Sequence, residues 1–69
     1  MILLYDFINL LPHEVRILIF MSIEPTNDRL YLYDGIVDAL PENMKNYWVN
    51  EFFIHNELIN IGVTNSSIF

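Results

Sequence analysis

Two histidines, His13 and His55, each stand beside or near a carboxylate, Glu14 and Glu57, and imidazole nitrogen with carboxylate oxygen is a common donor set for a divalent metal. Metal sites of that kind draw their ligands from tight spacings such as HExxH. Here the two pairs lie in separate segments, so the pattern predicts turn histidines next to surface carboxylates, with no metal and no other cofactor. Asp34, Asp38, Glu42 and Glu51 have the chemistry to act in pairs as general acid and base. They are spread over loops and strand edges, and nothing in their spacing selects one pair. No GxSxG, P-loop or GxGxxG is present, and the absence of cysteine removes the thiol nucleophile. The side-chain inventory predicts a protein that is not an enzyme.

The frame that must position these residues is small. A chain of 69 residues makes one domain, placed at residues 1–64 with a loose polar tail over 65–69. Without disulfides, stability must come from packing, and 54% hydrophobic residues supply the material for a core. So much apolar surface is hard to hide in so small a volume, which predicts a homo-oligomer or a partner-covered face. Only Arg16, Arg29 and Lys45 are basic, and the formal net charge is -6. Three scattered cations cannot build a phosphate-binding stripe, so direct nucleic-acid or anionic-membrane binding is not expected. No apolar run reaches the roughly 20 residues that span a bilayer, and MILLYDFINLL lacks a basic region or a small-residue cleavage site. A cytoplasmic location follows as the expectation.

Leu3, Leu4, Phe7, Ile8, Leu10 and Leu11 recur at helical spacing and predict an N-terminal helix ended by Pro12. From Val15 to Ile23 the period is two, with both faces apolar, which predicts a strand inside its sheet. Turn residues at 24–28 predict a hairpin into a second strand starting near Arg29. Gly35 after Asp34 predicts a positive-φ bulge or bend that re-aims a still extended Ile36–Leu40. Pro41 opens a short helix, PENMKNY; Trp48–His55 and Leu58–Val63 form a last hairpin about Asn56-Glu57. The fold class is α+β: a three- to four-stranded antiparallel sheet, the N-terminal helix on one face and a short helical turn before the third strand.

A helix ending in Leu10-Leu11-Pro12, the Tyr33-Asp34-Gly35 turn-off, the LPENM turn and the HNELINIGV hairpin together resemble small uncharacterised phage and prophage accessory proteins of low-GC bacteria. The resemblance implies a phage-type protein that binds and inhibits a host or defence protein, and it carries no catalytic residue. The residues point the same way through their aromatics. Tyr31, Tyr33, Trp48 and Phe52 are of the types that dominate binding hot spots, and Asp34, Asp38 and Glu51 would supply an acidic rim. Phe52 and Phe53 must face opposite sides of their strand, so one is covered by more protein or shown to a partner. The leading expectation is a protein–protein interaction module. A self-assembling morphogenetic protein is one alternative; a small-ligand binder for a nucleotide signal, which needs Arg16 and Arg29 to converge, is the other.

Overall fold

The computed structural model describes residues 2–23, 25–26 and 28–65. The period-two segment forms β2, Arg16–Ile23, and returns through a hairpin as β3, Asp28–Ile36, paired from Ile23↔Asp28 to Arg16↔Ile36. Two residues of the connecting loop, Glu24 and Asn27, lie outside the described set, as does the tail from residue 66. A two-residue β1, Ile2–Leu3, precedes the helix α1, Leu4–Ile8; the chain ends in the hairpin β4, Trp48–His55, and β5, Leu58–Thr64. Asn56 and Glu57 have φ of 54° and 62°, the positive values that a two-residue type I′ turn requires.

The strands make one five-stranded sheet, ordered β1-β4-β5-β2-β3, in which β2 and β5 run parallel and every other neighbour is antiparallel. This corrects the expected three- to four-stranded antiparallel sheet. The cause lies in residues 37–47, which cross from the β3 edge to β4 and so bring the second hairpin in beside β2. They carry Val37, Leu40 and Met44 into the core on the way, in two short 3-10 turns, Val37–Ala39 and Glu42–Met44. The expected extended run over Ile36–Leu40 is thus a turn, held by Val37 N–H donating to Val15 O at 2.9 Å and Asp38 N–H to His13 O at 3.1 Å.

The N-terminal helix is also shorter than its periodicity predicts. Five residues cannot recover the cost of nucleating a helix, and α1 has no side-chain cap. It persists because Leu4 and Ile8 are buried under the sheet and Leu4 N–H donates to Tyr47 O at 2.8 Å. Leu10 and Leu11 continue only as i→i−3 turns, bonded to Phe7 and Ile8 carbonyls, before Pro12. Leu4, Ile8, Val37, Leu40 and Met44 meet Ile17, Ile19, Val49, Ile61 and Val63 from the sheet, and this is the core.

Gly35 does not adopt positive φ; it is an ordinary extended residue opposite Ile17. Its role is steric. A Cβ there would sit 2.7 Å from the Tyr33 hydroxyl, which folds over the glycine to donate to Ile36 O at 2.7 Å. The irregularity of this ladder lies earlier, where Ile19↔Tyr33 steps to Phe20↔Tyr31 and leaves Leu32 as the extra residue of a bulge.

Candidate functional site

Among the described residues no helix covers the second face of the sheet, yet Phe20 on that face is 1% exposed. Its ring lies 6.4 Å from Tyr31 and 6.1 Å from Phe53, and the Arg29 guanidinium stacks above it, 4.6 Å from the ring centroid and 5.4 Å from that of Phe53. Gly62 in β5 leaves room for this, because a Cβ there would stand 3.1 Å from the Phe20 ring. The chain therefore covers much of its second apolar face with its own side chains, using the Arg29 stem and fork as a lid.

The sequence-predicted binding residues do not form one patch. Tyr31, Asp34 and Glu51 share the outer face, where alternation from Val49 also places the half-buried Trp48. Asp34 is tied to Arg16, with Nη2 3.1 Å from Oδ1. Tyr33 turns to the helix side and packs on the core edge. Asp38 stands in the loop beside His13, Oδ1 to Nδ1 3.3 Å, and both side chains are largely in solvent. Such a pair is strongly screened, and a small polar recess of about 120 Å³ lies beside it.

Phe52 sits in the one setting that differs. Strand β1 pairs with β4 only at Trp48 and Val49, so the outer edge of β4 from Asn50 to His55 has no strand neighbour among the described residues. Beside this open ladder lies a cleft of about 510 Å³ lined by Ile2, Phe7, Val49, Asn50, Glu51 and Phe52. The Phe7 and Phe52 rings meet at 5.1 Å and form its apolar wall. Phe52 is 60% exposed, and Ile54, two residues on and on the same face, is 72% exposed. Phe53, facing the opposite side, is half-buried. The choice that alternation left open is thus resolved: Phe53 packs and Phe52 is displayed.

Phe7, Ile2 and Ile54 complete this surface and were not among the predicted binding residues. The i, i+2 spacing of Phe52 and Ile54 was a readable signal, while the arrival of Phe7 depends on how α1 docks. The other sheet edge, β3, carries Asp28, Arg29 and Asp34 and a mid-strand bulge, devices that discourage strand addition. Between Asn50 and His55 the sole carboxylate is Glu51, and a bulge at Asn50 marks where the β1 pairing stops.

Arg16 and Arg29 stand at opposite ends of the β2–β3 ladder, opposite Ile36 and Ser22, a separation of roughly 20 Å. They do not converge on an anion. Among the described residues no three histidine or acidic side chains gather as metal donors, and no helix is long and apolar enough to cross a membrane. No family model, curated protein or solved structure matches the chain.

Proposed function

We propose that this protein is a protein–protein interaction module that takes up a strand of another polypeptide along the outer edge of β4 and seats an apolar side chain of that strand in the adjoining cleft. The observation that supports it is the juxtaposition: from Asn50 to His55 the outer edge of β4 has no strand partner among the described residues, and the Phe7–Phe52 cleft opens beside it. In strand addition the main chain supplies affinity and alternate side chains in pockets supply specificity, and both halves of that arrangement are here side by side. Glu51 on the cleft wall and the net charge of -6 favour a partner strand with basic residues at its margins. On the resemblance drawn from the sequence, the partner is a host or defence protein that a phage-type protein occupies and inhibits.

Affinity capture with the wild type, Phe52→Asp and Tyr31→Asp in parallel tests the reading. A partner held by the wild type and by Tyr31→Asp, but weakened about 30-fold or more by Phe52→Asp, is the expected result for a hot spot of about 2 kcal/mol. Circular dichroism of each variant controls for folding. A partner retained by Phe52→Asp and lost by Tyr31→Asp would move the interface to the outer face and refute strand addition at β4.

A further inference from the structure

The open edge of β4 is complementary to itself, and we infer that a second copy of this chain occupies it, β4 against β4 in antiparallel pairing about a two-fold axis. The inference rests on the strand-addition reading and names one occupant of that edge. A two-fold normal to the sheet keeps each face on its own side, so only residues of the same face can come opposite and the register changes in steps of two.

One of these registers satisfies both faces. With Phe53 on the axis, Phe52 lies opposite Ile54 of the second copy and Glu51 lies opposite its His55. The two most exposed apolar side chains of the strand then cover one another on the helix side. On the outer face a carboxylate meets an imidazole at each end, and the two Phe53 rings continue the cluster of Phe20, Tyr31 and Arg29 across the seam. The paired window, 51–55, ends before β1 begins to pair at Val49 and before the Asn56-Glu57 turn leads the chain away. Placing Phe52 on the axis instead sets Glu51 against Phe53 and Ile54 against Asn50. That register joins an ion to an aromatic and an apolar residue to an amide, and it gains nothing in return.

The pairing has to act against the repulsion of two chains of net charge -6, and its window is short. A weak dimer, strengthened by salt, is what these terms give. Since self-pairing and capture of another strand need the same edge, the dimer is a resting form that a partner displaces.

The chain has no cysteine, so introduced thiols report the register without background. Directly opposed residues in an antiparallel pair have Cα atoms about 4.5–5.5 Å apart, within disulfide reach, whereas diagonal ones stand about 7–8 Å apart. The double variant Glu51→Cys with His55→Cys should therefore oxidise to a covalent dimer, and Phe52→Cys alone should not. Light scattering on the unmodified chain should show a dimer at high concentration that Ile54→Asp weakens at least about 10-fold. A monomer throughout, or cross-linking through Phe52→Cys in place of the double variant, overturns the inference. If the chain is monomeric while Phe52→Asp still abolishes capture of a partner, self-pairing alone fails; if capture is also indifferent to Phe52, the strand-addition reading falls with it.

Discussion

Replacing Gly62 by alanine tests whether the outer face is packed as tightly as the geometry indicates. The new Cβ would lie 2.6 Å from Glu51 Cγ, 3.1 Å from Asn50 Oδ1 and 3.1 Å from Phe20 Cζ. Glu51 and Asn50 are exposed and can swing aside. Phe20 cannot move as freely, because Tyr31 and Phe53 flank it and Arg29 lies above. Overpacking a fixed neighbour costs about 1–3 kcal/mol, and alanine recovers about 0.5–1 kcal/mol over glycine in a strand, which leaves a net loss between about 0 and 2.5 kcal/mol, centred near 1 kcal/mol. In a domain of this size the central value lowers Tm by roughly 4–8 °C. Gly35→Ala makes the control. Its Cβ meets the movable end of Tyr33, so the loss is one exposed hydrogen bond of about 0.5–1.5 kcal/mol, offset by the same strand gain, and its stability should stay within about 1 kcal/mol of the wild type. Urea unfolding of both variants, and of Gly62→Ala in a Phe20→Leu background, decides the matter. Equal midpoints for the two glycines, or no relief from Phe20→Leu, would refute a Phe20 ring seated on Gly62.

Glu57→Gly should stabilise the β4–β5 hairpin by about 1 kcal/mol, since an L residue at φ 62° is held in the left-handed region at a cost that glycine avoids; a raised Tm in calorimetry checks it. Arg29→Ala should lower stability by about 1–2 kcal/mol in urea titration, because it uncovers Phe20 and Phe53 as well as removing the cation. Phe53→Ala should cost about 2–3 kcal/mol and Phe52→Ala about 1 kcal/mol or less, the latter losing chiefly its contact with Phe7; thermal melts of the pair measure the difference.

The parts of the fold legible in the sequence were those that depend on near neighbours. Period two over Val15–Ile23, turn residues before Arg29 and the Asn56-Glu57 step each determine a local conformation, and β2, β3, β4 and β5 form where those signals lie. What was not legible depends on distant neighbours. The parallel contact of β2 with β5 arises only from the path of residues 37–47, and no spacing within either strand encodes it. Gly35 misled for a related reason: glycine permits positive φ, but it also permits a close approach, and the ring of Tyr33 uses the second property. The helical stripe through Leu11 was real as an apolar pattern, while tertiary contacts decided that only Leu4–Ile8 closes into α1. As for the site, Phe52 was readable as an aromatic that alternation would send to one face, but the cleft beside it required α1 to bring Phe7 there.

The adjacent residues Phe52 and Phe53 show how so small a domain divides its apolar material. A strand presents them to opposite faces, and only one face is covered by the helical layer. On the uncovered face Phe20, Phe53 and Arg29 close over one another, and Phe20 is as well buried as the core. The two most exposed apolar side chains of the strands, Ile54 and Phe52, stand instead at the margin of the covered face, where Phe7 of α1 reaches Phe52 and the described pairing of β1 with β4 ends at Val49. An apolar pair thus stands beside a ladder that has no strand neighbour among the described residues, which is the combination that a partner strand can complete and that solvent cannot.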